Sequence, residues 1–135
     1  MNYENLTTDE LVFKHLGIDI KCLEAFDLLP AADQKPMKHL FIMEKAIEAI
    51  NGPDFKVDIF NTNQLKTYLW PDVVKDDSRT SGFGFSYLGW TLSRSFTLAY
   101  VGSRRLFENR DKARHFWKYF SHHFEGYVVP GNIKE

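Results

Sequence analysis

Hydrophobic positions change their spacing along the chain and divide it into a helical first part, a strand-like middle and a helical end. Leu6-Thr7-Thr8-Asp9-Glu10-Leu11 has the make-up of a helix start: Thr7 can cap, Glu10 completes a capping box, and Leu6 can touch Leu11 as a staple. Val12, His15 and Leu16 continue the apolar face, and Gly17 supplies the left-handed residue that ends it. A second, shorter helix is predicted over Ile18–Leu29, where Ile20, Leu23 and Phe26 recur until Pro30 stops the hydrogen-bond ladder. Cys22 within it reads as a small buried hydrophobe. A third helix is predicted from Lys35 to Ile50, with Pro36 in its first turn and Asn51-Gly52-Pro53 closing it. Leu40, Phe41, Ile42, Met43, Ala46, Ile47, Ala49 and Ile50 leave it only a narrow polar stripe of Lys38, Lys45 and Glu48, which marks a central helix.

The period then shortens. Residues 54–64 read as a loop with a short strand at Lys56–Ile59, and Lys66–Trp70 as a strand ended by Pro71. Asp72–Thr80, acidic and without a helical period, reads as a mobile loop. Phe83, Phe85 and Tyr87 alternate with small residues and so are expected on one face of a strand, while glycines at 82, 84 and 89 suggest a bulge, a bend or close backbone approach. Phe96, Leu98 and Tyr100 repeat the alternation; Gly102-Ser103 fits a hairpin turn with Arg104–Phe107 returning, or else a bulge in one long strand. Asn109 caps a final helix, Arg110–Glu125, which Gly126 ends. Ala113, Phe116, Trp117, Phe120 and Phe124 fall within an arc of roughly 100°, which is expected to pack on the sheet, and Arg110, Arg114 and Lys118 step by four along its edge.

Taken in order, these elements predict one α+β domain over residues 1–135, with frayed tails at 1–5 and 130–135. Its N-terminal helices lead to a mainly antiparallel sheet of three or four strands, and an amphipathic C-terminal helix packs on that sheet.

Composition adds limits more than direction. With 44 % hydrophobic and 26 % charged residues the chain has ordinary globular make-up, and 16 % aromatic content points to a Phe-rich core with rings left over for an interface. A single cysteine excludes an intrachain disulfide and a cysteine-based metal site. No apolar run has membrane-spanning length, and the polar, acidic start is unlike a signal peptide, so the expected location is cytoplasmic. The net charge of −1 hides an asymmetry: residues 1–54 carry ten acidic and five basic side chains, residues 55–135 eight acidic and twelve basic.

Searched for chemistry, the sequence specifies no reaction. Gly82-Phe83-Gly84 lacks the third glycine of a dinucleotide fingerprint, and Gly84-Phe85-Ser86 lacks the glycine that a nucleophile elbow requires. Asp76 and Asp77 have no partner carboxylate that spacing can place. His115, His122 and Glu125 share a helix side, but no zinc-binding spacing is present, and His122 and His123 read more simply as complements to a helix C-terminus. No catalytic residue, metal site or cofactor is therefore expected. What remains is a band of basic and aromatic residues, Trp90, Arg94, Arg104, Arg105, Arg110, Arg114 and Lys118, of the kind that neutralises phosphates and stacks bases. The sequence thus favours a small non-enzymatic protein acting through an unknown protein partner or as a homo-oligomer, with nucleic-acid binding through residues 94–118 as the alternative.

Tyr68-Leu69-Trp70-Pro71, Ser81-Gly82-Phe83-Gly84-Phe85-Ser86, and Tyr100-Val101-Gly102-Ser103-Arg104 running into Phe107 form a distinctive combination. In these motifs the chain resembles, over roughly residues 33–128, a family of small uncharacterised proteins from prophages and mobile elements of Bacteroides-type bacteria. The resemblance implies a phage-related or mobile-element setting and no particular chemistry. Arg105 stands where that pattern has an apolar residue.

Overall fold

Thr8 rather than Thr7 opens the first helix. In the computed structural model, which describes residues 2–58, 64, 66–75, 77–78, 83–93 and 105–128, α1 spans Asp9–Leu16, and the extended Thr8 accepts the Leu11 N–H on Oγ1 at 3.2 Å. The cap falls one residue later than expected, so Glu10 is not placed to close a capping box. Leu6 enters the core while Leu11 stays exposed. Gly17 ends α1 as expected: at φ 71° its N–H returns to Lys14 O (3.1 Å) and that of Ile18 to Phe13 O (2.9 Å).

The next segment winds as a 3₁₀ helix, Ile20–Leu28, capped by Asp19, whose Oδ1 accepts the Lys21 N–H at 2.9 Å. Three residues per turn put Leu23 and Phe26 on one side, and Phe26 meets Phe41 at 5.7 Å between ring centres. Cys22 falls off that side and is exposed, contrary to the expectation that it is buried. Helix α2 spans Ala31–Asn51 and starts four residues earlier than expected, directly after Pro30. Pro36 therefore lies inside α2, where it removes one backbone donor. Side chains tie this start down: Gln34 Nε2 donates to the carbonyls of Asp27 (3.2 Å) and Leu29 (2.9 Å), and Lys38 pairs with Asp27 at 2.7 Å.

Helix α3 spans Arg110–Val128, with Asn109 Oδ1 accepting the Lys112 N–H at 2.9 Å. It passes through Gly126 instead of ending there. Helices α2 and α3 lie antiparallel: Asn51 at the end of α2 meets Lys112 in the first turn of α3, while His39 near the start of α2 meets His123 near the end of α3. Met43, Ala46, Ile47 and Ile50 of α2 and Ala113, Phe116 and Phe120 of α3 form the core with Leu6, Val12 and Phe107.

That pairing corrects the expected α+β class. The described residues are mostly helical, and the apolar arc of α3 is covered by α2, not by a sheet of three or four strands. The strands form an antiparallel two-stranded ribbon, β1 (Lys66–Lys75) and β2 (Phe83–Ser93). Alternation foretells a strand, but it does not say which face α3 buries. Strand β1 runs on through Pro71 to Lys75, taking in the first part of the expected loop. Register slips between Asp72 and Val73, which face Tyr87 and Phe85 and leave Ser86 without an opposite residue. Of the last strand expected over Arg104–Phe107, the described residues 105–107 show a single bridge, from Phe107 to Thr67, with N···O distances of 3.0 and 2.8 Å. The hairpin or bulge expected over 96–104 lies outside the described residues, as do the expected tail at 130–135 and Ile59.

At the end of α2, Asn51 clamps the approach to α3. Its Nδ2 donates to Leu106 O (2.8 Å) and its Oδ1 accepts from Glu108 N (3.0 Å). Lys112 Nζ donates to Asn51 O and to Glu108 Oε2, at 2.8 and 2.7 Å. Replacing Asn51 with Ala removes both side-chain bonds and leaves their backbone partners to find others. A loss of about 1–3 kcal/mol is expected, measurable by urea denaturation; an unchanged midpoint would refute the clamp.

Candidate functional site

At the opposite end of the α2–α3 pair, three histidines and a carboxylate meet. Asp9 comes from the first turn of α1, His39 from α2, and His122 and His123 from α3. His123 is 3 % exposed, and its two ring nitrogens are both engaged. Nε2 stands 2.7 Å from Asp9 Oδ1, and Nδ1 stands 3.0 Å from Nδ1 of His39. The ring of His122 lies beside that of His123, 4.0 Å between centres. Asp9, His122 and His123 each offer one ligand atom, and these atoms lie within 4.8 Å of one another.

The hydrogen-bond logic is constrained. An ionised carboxylate only accepts, so His123 Nε2 carries the proton shared with Asp9. With His123 neutral, its Nδ1 is then an acceptor, and the bond is completed by Nδ1–H of His39. Burial, followed by the proximity of His123 and His122, holds His39 below the ordinary histidine value, with Asp9 opposing. His122 is lowered by burial and by His123, against Asp9 and Glu125. Both rings therefore favour the neutral form, in which a ring nitrogen keeps a lone pair.

Gly126 makes room for this arrangement. A Cβ there would collide with Cδ2, Cγ and Nε2 of His39. The glycine is thus needed inside α3 for close approach, not at its end for a left-handed turn. His115 belongs elsewhere: its Nε2 is 2.7 Å from Leu6 O, and its ring meets Tyr3 edge-on at 5.3 Å.

The basic band is only partly assembled. Arg110, Arg114 and Lys118 are exposed along one edge of α3, as the four-residue step implies. Lys118 lies over the Tyr119 ring at 5.2 Å. Arg105 leaves the band: its guanidinium sits 5.0 Å from the ring centre of Tyr127, in the last turns of α3. Trp90 lies in β2 opposite Leu69, and Arg94 and Arg104 lie outside the described residues.

Two other surfaces stand out. Leu11, Ile20, Leu28 and Leu29 are exposed, Leu28 at 90 %, and they all fall in or beside the 3₁₀ segment and α1. A cavity of about 380 Å³ is lined by Glu44, Lys45, Ile47, Glu48, Asn51 and residues 52 and 55–57, with Lys45 and Glu48 paired across 2.8 Å. No described helix is long and apolar enough to cross a membrane.

The histidine junction is not legible in the sequence because its members lie 84 and 114 positions apart, whereas metal-binding spacings on one helix span only a few residues. The adjacent pair His122-His123, followed by a glycine one turn on, was the available signal. Comparison with protein-family models, curated proteins and solved structures gives no match.

Replacing Gly126 with Ala improves intrinsic helix propensity yet drives a methyl group into the His39 ring. Overpacking is expected to prevail, with a loss of about 1–3 kcal/mol and altered His39 and His123 ring resonances by NMR. A gain in thermal stability with unchanged resonances would contradict the close approach.

Proposed function

We propose that the protein is a small non-enzymatic accessory protein acting in the cytoplasm by protein–protein contact, first of all with a second copy of itself. The observation that carries this reading is the apolar surface around the 3₁₀ segment. None of the residues of Ile20–Leu28 is buried, and Leu28 and Leu29 stand out to solvent immediately before α2. Exposed leucines beside the acidic Asp19, Glu24 and Asp27 have the apolar-centre, polar-rim make-up of a contact patch. The motif resemblance to prophage and mobile-element proteins supplies the setting.

Sedimentation velocity over a range from micromolar to submillimolar protein tests it. Wild type is expected to self-associate, and the Leu28→Glu/Leu29→Glu double variant to remain monomeric with unchanged helical content. A strictly monomeric wild type would overturn self-contact as the function.

A second reading, nucleic-acid binding, draws on the exposed row Arg110, Arg114 and Lys118. It requires DNA or RNA binding that weakens steeply with salt and is lost on charge reversal of those three residues. Fluorescence anisotropy with labelled single- and double-stranded oligonucleotides measures both, and no binding at low salt would remove it.

A further inference from the structure

We propose that Asp9, His122 and His123 form a binding site for a divalent transition-metal cation of the zinc class, with His39 as a positioning residue behind His123. Two imidazoles and a carboxylate are borderline donors suited to zinc, nickel, cobalt or copper, and poorly suited to magnesium or calcium, which take oxygen ligands. The three ligand atoms come from two helices that the core already holds together, and they lie within 4.8 Å of one another. Tetrahedral zinc, with bonds of about 2.0–2.2 Å, sets its ligand atoms about 3.3 Å apart. Asp9 Oδ1 and His123 Nε2, now 2.7 Å apart around a shared proton, need to open by about half an ångström. The exposed His122 can turn inward by rotation about its side-chain bonds. Three protein ligands leave a fourth position for water on the solvent side, where His122 lies.

The ring opposite Asp9 gives the proposal its specific character. A metal-bound histidine keeps its orientation by donating its other ring N–H to a neighbour. When a cation replaces the proton on His123 Nε2, the His123 Nδ1 takes a hydrogen and donates it to His39 Nδ1 across the existing 3.0 Å gap. His39 then carries its proton on Nε2. The proton displaced from His123 Nε2 leaves to solvent and His39 Nε2 takes one up from solvent, so the pair keeps two ring protons and each nitrogen keeps one role. Neither histidine needs to be charged, and Gly126 keeps His39 close enough to accept.

The test uses the full chain, free of any polyhistidine tag, in a Cys22→Ser background that removes the exposed thiol as a rival ligand. Zinc chloride titrated by calorimetry near neutral pH is expected to bind with one equivalent at micromolar affinity or tighter and to raise the melting temperature. Magnesium chloride is expected to do neither. His122→Ala, at an exposed position, and Asp9→Asn, which keeps an oxygen acceptor, are each expected to weaken zinc at least about tenfold while circular dichroism shows the fold intact. Nitrogen NMR of the His123 ring adds a readout that simple stabilisation would not move: zinc should shift the proton from Nε2 to Nδ1. No heat and no thermal shift with zinc at about a hundred micromolar, or affinity unchanged in both variants, would overturn the proposal.

Discussion

The burial of α3 against α2 is the constraint on which the other contacts depend. Phe116 and Phe120 are too large to remain in water on a helix this amphipathic, and α2 offers Met43, Ala46, Ile47 and Ile50 on the facing side. Each large apolar side chain removed from water contributes roughly 1.5–3 kcal/mol, so this seam outweighs any single polar contact in the molecule. Alanines 46, 49 and 113, all nearly inaccessible, let the two backbones approach. Once the helices are antiparallel and in register, both ends of the seam are fixed together.

Those ends have different chemistry. At one, Asn51 satisfies backbone groups of the segment entering α3 and Lys112 the carbonyl of Asn51 at the end of α2, which is structural work by neutral and charge-assisted hydrogen bonds. At the other, His123 is buried between a carboxylate and a second histidine. Burial of an ionisable ring is costly unless its nitrogens are bonded, and here both are. This junction also joins the three described α-helices, because Asp9 begins α1. Whatever occupies or alters it acts on the helical body directly.

The ribbon is attached to that body through a narrower connection. Thr67 and Phe107 exchange two backbone hydrogen bonds, and the Phe107 ring continues into the core against Phe116, 5.4 Å between centres. The ribbon's register is thereby tied to the start of α3. The exposed leucines of the 3₁₀ segment face the opposite situation: the segment meets α2 through Phe26 against Phe41, while Ile20, Leu28 and Leu29 remain in solvent.

Local chemistry alone determined a good part of this protein. Gly17 as a left-handed helix end, Asn109 as a cap, the buried arc of α3 with its exposed basic edge, and strand character at 66–70 and 83–87 were all legible, because each depends on neighbours within one or two turns. Cap positions could shift by a residue or more, as Thr8 and Ala31 show, since adjacent residues compete for the same role. Tertiary structure alone decided what α3 packs on, why Gly126 is a glycine, and that Cys22 faces solvent. It alone brought Asp9, His39, His122 and His123 together. The physical reason is common to these cases: burial and convergence depend on which surfaces meet across many positions of chain, and periodicity records only that a surface must meet something.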